Sequence, residues 1–193
     1  DDVLEGGALR RVAEEIDPAR GRHIVMGRCR FIDEAGRFIG VEHPSAFESH
    51  RRVLEIWRGH WLPQPATFWT REVWDRCGPL DETAFWLDYD LFCRFTREYV
   101  FHTIDQVLAS YRLHTESKTS SATERERLEA SIEVSRRYWS KLPASDRAKL
   151  YLSYSRFRLN RRQRARAMLS RAKTLWRTTS LWRAAPHAVT GSL

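Results

Sequence analysis

The sequence predicts a mixed α/β body followed by a helical C-terminal extension. Extended and helical patterns alternate as far as Leu113, and from Ser120 onward only helical patterns follow, the order of a layered α/β body with helices appended. Charge divides the chain in the same way. Arg147 to Leu193 holds twelve Lys and Arg and no Asp or Glu, so the first 146 residues hold 21 basic and 25 acidic groups, a net of −4. The whole-chain charge of +8 therefore belongs to the tail. On this reading residues 1–140 form the body and 141–193 a basic helical extension.

The elements follow in order. Gly6 to Ile16 reads as a helix with Leu9, Val12, Ala13 and Ile16 at helical spacing, closed by Asp17-Pro18. His23 to Ile32 is a strand, Asp33 to Gly36 a turn and Arg37 to Val41 the return strand of a hairpin. Ser45 is placed to cap a helix with Phe47, Val53, Leu54 and Trp57 as its apolar stripe. Gly59 to Thr70 carries no charged residue, and Pro63-Gln64-Pro65 excludes a helix interior; so apolar a run should line a core or a cleft. A short helix or turn spans Thr70 to Arg76, a loop Gly78 to Glu82 and a helix Phe85 to Tyr99. Val100 to Ile104 and Val107 to Leu113 read as two extended pieces, and Ser120 to Trp139 as a helix broken by Pro143. Two further helices, about Ser145 to Phe157 and Arg161 to Trp176, complete the chain.

Composition sets limits. With 193 residues, 42% hydrophobic and 12% aromatic, the chain can bury a core. No stretch of eighteen apolar residues is present, which excludes a membrane-spanning helix from the pattern. Cys29, Cys77 and Cys93 lie far apart with no metal-ligand spacing, and are expected as reduced, buried small hydrophobes. The chain opens on Asp1-Asp2 rather than Met, as expected of a piece of something longer.

Four constellations could carry chemistry. Asp1-Asp2 precedes apolar Val3-Leu4, and adjacent carboxylates at a strand end suit a hard divalent cation shared with phosphates. Asp88 and Asp90 lie two apart in a predicted helix and diverge by roughly 200°, so they need different roles. One would face a cleft as a general base, and the other would cap a helix or pair with a cation such as Arg94. Gln64-Pro65-Ala66-Thr67-Phe68-Trp69 offers aromatic faces with an amide and a hydroxyl, a platform suited to sugar. Tyr111-Arg112-Leu113-His114 with Ser117-Lys118-Thr119 supplies cations and an imidazole for phosphate or metal.

These pieces occur in a telling order. The acidic pair and its helix precede a strand around Gly27, the Asp33/Gly36 hairpin, Gln-Pro-Ala-Thr-Phe-Trp and Gly78-Pro79-Leu80-Asp81-Glu82. Asp88-Tyr89-Asp90-Leu91-Phe92-Cys93-Arg94 and the Tyr111 to Thr119 segment follow. Over about residues 1–140 the chain resembles the second half of a family 2 glycosyltransferase of the GT-A fold. The resemblance implies that Asp2 ligates Mg²⁺ or Mn²⁺ on the donor diphosphate, with Asp1 near the donor ribose or sugar. It places Asp88 as the catalytic base, with Asp90 and Arg94 in supporting positions and His114 at the metal or diphosphate. It places Gln64, Thr67 and Trp69 on the wall that meets donor sugar and acceptor, and gives Arg112 and Lys118 to donor or acceptor binding. The family often has Glu-Asp where this chain has Leu87-Asp88.

The activity so implied is metal-dependent, inverting, hexosyltransferase-like transfer from a nucleotide-diphosphate sugar to a hydroxyl of a glycan or lipid-linked acceptor. Its setting would be bacterial surface polysaccharide or glycolipid synthesis in the cytoplasm. The nucleotide-binding half of the family is expected ahead of Asp1, so the chain alone is expected to be inactive and to expose apolar surface. The Arg-rich tail, with Leu, Phe and Trp interleaved, suits an anionic surface on the inner face of the cytoplasmic membrane. No nucleic-acid motif is present, and no nucleic-acid partner is expected. The competing reading is a non-catalytic binding or scaffold module with the same basic tail.

Overall fold

The computed structural model describes residues 2–47, 49–84, 86–114 and 123–183, without the side chains of 165, 167, 169 and 171–183. At its centre is β2 (Ile24–Ile32), whose first three residues, Ile24 to Met26, are apolar and fully buried, as expected where a strand is covered on both faces. Along one edge it pairs in parallel with β5 (Phe101–Arg112). Its other edge is shared by two antiparallel strands: β3 (Phe38–Glu42), the return of the hairpin, pairs with Cys29 to Ile32, and β4 (Thr67–Trp69) with Ile24 to Met26. A two-residue strand, β1 (Val3–Leu4), lies antiparallel on the outer edge of β5, giving a mixed five-stranded sheet. Helices cover it, so the protein is a mixed α/β fold as the sequence predicts.

Gly27 shows why β2 and β5 can meet. The register between them shifts on both sides of Arg28, and a Cβ on Gly27 would stand 2.7 Å from the Gln106 carbonyl oxygen and closer still to the Leu108 side chain. Only glycine permits that approach. The same bulge carries Asp105 and Gln106 through the strand, so the two extended pieces expected from the sequence are one continuous β5. Arg28 anchors the bulge by pairing with Asp105 at 3.0 Å.

Helix α1 (Ala8–Glu15) covers one face of the sheet, with Ala8 and Val12 packed on Val25, Cys29, Leu108 and Ala109. Ile24 and Met26 point the other way by the two-residue period of a strand and are fully buried. On that side lie α2 (His50–Leu54), α3 (Arg71–Cys77), α4 (Leu87–Phe95) and α5 (Glu124–Trp139). A capping box of Thr123 and Glu126 opens α5, with each side chain bonding the other's backbone N–H.

Two further expectations are corrected. Ser45 caps no helix. Its backbone N–H and side-chain oxygen bond the Trp61 carbonyl and N–H at 3.1 and 2.9 Å, and α2 begins only at His50. The two tail helices are a single helix, α6 (Ala144–Arg183). Between those ends the sequence has neither Pro nor Gly, so nothing breaks the run after Pro143.

The chain divides into two compact units, Asp1–Tyr151 and Leu152–Leu193. The first turns of α6 belong to the first unit, where Leu150 is fully buried and the Tyr151 ring meets Trp139 edge-on at 5.3 Å. In the second unit Arg158 stands over the Tyr154 ring and Arg161 over Phe157, while Leu152, Leu159 and Met168 are exposed. Among the described residues no helix is long and apolar enough to cross a membrane.

Candidate active site

The carboxyl ends of the parallel strands β2 and β5 open into a cleft of about 360 Å³, the end at which open α/β sheets hold ligands. Phe31 at the end of β2 and Tyr111 at the end of β5 form one wall, with Trp61 completing an aromatic group. Ring centroids are 5.6 Å apart for Phe31 and Trp61 and 6.0 Å for Phe31 and Tyr111. The uncharged run that the sequence marks out supplies Trp61 to Pro65, with the Gln64–Ala66 turn at the rim. Trp86 and Asp88 come from the start of α4 and Ser131 from α5.

The segment leading into this wall is held by charge. Glu55 is fully buried beneath Arg51, Arg52 and Arg58, at 2.6, 2.9 and 3.7 Å. A buried carboxylate is tolerated when so paired and hydrogen-bonded. Ile56 and His60 follow directly and line the cleft. The His60 imidazole is pushed below its ordinary value by burial and by Arg52 and Arg58, so it is neutral at physiological pH.

Helix α4 sets the two aspartates apart. Asp88, in its first turn, lines the cleft and accepts the Tyr89 N–H at 2.8 Å. No cation pairs with it among the described residues. Burial raises its pKa above the usual carboxylate value, against the lowering effect of its backbone N–H partners. Asp90 is buried and bound on two sides: Arg94 Nε lies 3.1 Å from Oδ2, and the Tyr138 hydroxyl donates to Oδ1 at 2.7 Å. Arg94 also donates to the Cys77 carbonyl. Tyr89 donates to the Val53 carbonyl at 3.0 Å and Trp86 Nε1 to the Arg127 carbonyl at 3.2 Å. These bonds fix α4 against α2 and α5, and so fix Asp88.

The other residues marked by the sequence are distributed as follows. Asp2 is exposed beside β1, and its Oδ1 accepts the Arg112 N–H at 3.0 Å. Arg112 lies between Tyr111 and Leu113, both in the cleft lining. Its guanidinium donates to the Asp33 and Glu34 carbonyls at 3.0 Å, tying the hairpin to β5. His114 follows and is half-buried. Gln64 is exposed at the rim. Thr67 and Trp69 are not brought to the cleft. The Thr67 hydroxyl donates to the Pro63 carbonyl at 2.7 Å, and Trp69 packs on Phe95. Asp1 and Lys118 lie outside the described residues.

Among the described residues no three His, Cys, Asp or Glu side chains cluster so as to hold a metal ion. Asp2 and His114 offer one carboxylate and one imidazole. By donor type a carboxylate and an imidazole suit a cation that shares a substrate's phosphate oxygens and water, and neither residue is among those lining the cleft. The cysteines are free and buried, and burial raises the Cys29 thiol to about 11, so it is not a nucleophile at neutral pH.

The sequence did not single out Trp61, Phe31, Trp86 or Ser131 for the cleft. For Trp61 the uncharged run was the available signal. Phe31 and Trp86 were legible only as apolar positions, and Ser131 gave none. Neither a family model nor a curated protein matches the chain.

Proposed function

We propose that this chain carries the acceptor- and metal-binding part of a glycosyltransferase that moves a sugar, with inversion, from a nucleotide-diphosphate sugar to an acceptor hydroxyl. The observation that carries the reading is Asp88: a carboxylate without a cation, of raised proton affinity, on an aromatic cleft at the carboxyl ends of two parallel strands. A base must lie within reach of the proton it removes; Asp88 lines the cleft, and burial raises its proton affinity above that of an ordinary carboxylate. In this mechanism an acceptor hydroxyl rests against Asp88 and gives up its proton as its oxygen attacks the anomeric carbon. The nucleoside diphosphate leaves from the opposite side. The aromatic wall orients the rings and excludes water, while Asp90, held by Arg94 and Tyr138, keeps α4 in register. Asp2 and His114 would hold Mg²⁺ or Mn²⁺, which when bound neutralises charge on the leaving diphosphate.

The acceptor fits a glycan or a lipid-linked sugar. The twelve basic residues from Arg147 onward suit a peripheral place on an anionic cytoplasmic membrane face. The test is Asp88→Asn in the protein that carries this chain. Turnover should fall about 10²–10⁴-fold, with donor binding kept. Turnover like that of the wild type would overturn the reading.

A further inference from the structure

The charge of the cleft says more about the acceptor. Among the described lining residues Asp88 is the sole carboxylate, and no Lys or Arg joins it. Around it are aromatic and aliphatic side chains, with Gln64, Ser131 and neutral His60 as the polar complement. The Ser131 hydroxyl donates to the Arg127 carbonyl at 2.9 Å, so it can only accept from a ligand. Gln64 can both donate and accept.

We infer that this cleft takes its acceptor as an uncharged sugar ring lying against the aromatic wall with a hydroxyl at Asp88, and that it rejects rings bearing a carboxylate or phosphate. The inference rests on the acceptor-site reading above and adds the substrate class. Aromatic faces suit the C–H faces of a sugar, and neutral amide and hydroxyl groups suit its hydroxyls. The volume of about 360 Å³ is that of a small-molecule site. An anionic ring would lose its water beside Asp88 with no described cation to replace it, and like charges so juxtaposed are strongly disfavoured. A cationic ring would pair with Asp88 and lower its proton affinity, the opposite of what a base requires.

The experiment is binding to this chain, by saturation-transfer NMR and tryptophan fluorescence, of methyl glucosides, galactosides and mannosides, each beside its uronide. At least one neutral glycoside should bind about tenfold or more tightly than its uronide. Asp88→Asn should bring the pair within about threefold, and Gln64→Arg, adding a cation at the rim, should do the same. The inference is overturned if no glycoside binds, if a uronide binds as well as its neutral partner, or if neither substitution narrows the gap. The transferase reading fails separately. If transfer collapses in Asp88→Asn while the wild type uses uronide acceptors freely, only the present inference is lost.

Discussion

Asp88 and Asp90 stand two residues apart on one helix and meet opposite environments. Asp88 faces an aromatic cleft without a cation, while Asp90 is buried between the Arg94 guanidinium and the Tyr138 hydroxyl. One carboxylate is costly to the fold; the other holds the fold together.

The first consequence is a pH-dependent cost to stability. Because burial raises the Asp88 pKa above 3.8, the ionised form is disfavoured in the folded chain. The resulting cost appears as pH rises through the unfolded value and is complete above the folded one. Asp88→Asn should therefore stabilise the chain at neutral pH, by about 0.5–2 kcal/mol. The gain should vanish below pH ~3.8, where both states are protonated. Denaturant unfolding at pH 7 and pH 3 measures this, and a variant less stable at pH 7 would contradict it.

Asp90 gives the reverse result. Removing Arg94 leaves the buried carboxylate with the Tyr138 hydroxyl and only the longer ion pair to Arg137, at 3.7 Å, whose guanidinium is shared with Asp81. Breaking a buried pair on one side costs about 3–5 kcal/mol. Arg94→Met should show that loss in urea unfolding, and Asp90→Asn combined with Arg94→Met should recover part of it. Tyr138→Phe should cost about 1.5–3 kcal/mol, the range for a hydrogen bond to a charged group.

Much of this was legible in the sequence, for identifiable reasons. The opposition of Asp88 and Asp90 follows from helical geometry alone, as does the choice of Arg94 as partner. The hairpin of β2 and β3 was fixed by its turn residues. Thr67 and Trp69 were read onto the ligand wall from their place in an uncharged aromatic run; β4 is three residues long, too short for its alternation to show which side chains turn inward. That strand buries Thr67 and turns Trp69 toward Phe95. Asp105-Gln106 looked like a break between two strands, since the bulge that carries it depends on Gly27 some eighty residues earlier. Trp61 and Trp86 reach one cleft through long-range packing, which no local pattern encodes.

Gly27 is therefore a sharp test of the sheet. In Gly27→Ala the added methyl meets a backbone oxygen, which cannot rotate away, as well as the Leu108 side chain. Overpacking of this kind costs about 1–3 kcal/mol and sometimes more. Leu108→Ala in the same chain should relieve only part of it, because the Gln106 carbonyl remains. Thermal melts of the single and double variants decide this.

His50 gives the chain a defined response to acid. Burial and the nearby Arg97 push its pKa from 6.5 down to about 4. Thr96 Oγ1 donates to the Phe92 carbonyl at 3.1 Å and so accepts from His50 Nδ1 at 2.9 Å. This leaves Nε2 as a buried lone pair without a partner among the described residues. Protonation would place an N–H where no described acceptor stands. Stability from His50 is thus complete above pH ~6.5 and declines as pH falls toward 4, because the unfolded chain takes up the proton first. The slope for one proton approaches about 1.4 kcal/mol per pH unit. His60, also lowered, contributes in the same direction.

His50→Gln should remove the His50 share of that slope while keeping an N–H donor toward Thr96. The stability of the wild type relative to the variant should fall steadily between about pH 6.5 and 4, whichever is more stable at pH 7. Parallel curves across that window would show that His50 is not the group responsible.

The tail makes a prediction that separates charge from hydrophobicity. Arg147 to Leu193 holds twelve cations without a carboxylate, and α6 exposes Leu152, Leu159 and Met168 among them. Each basic residue near an anionic bilayer contributes about 1 kcal/mol before screening. The chain should therefore co-sediment with vesicles containing phosphatidylglycerol and not with pure phosphatidylcholine. Binding should weaken steeply between 50 and 300 mM salt, since the screening length shortens through about 10 Å at 0.1 M. Truncation after Tyr151 should abolish sedimentation without unfolding the first unit, because its buried core lies within residues up to Leu150. Replacing Leu152, Leu159 and Met168 with Ser should lower the affinity but keep the salt dependence, since these side chains add apolar contact and no charge. Binding that ignores lipid charge would sink the electrostatic reading. Preference for a single-stranded oligonucleotide over anionic vesicles at equal salt would assign the tail to a nucleic-acid partner instead.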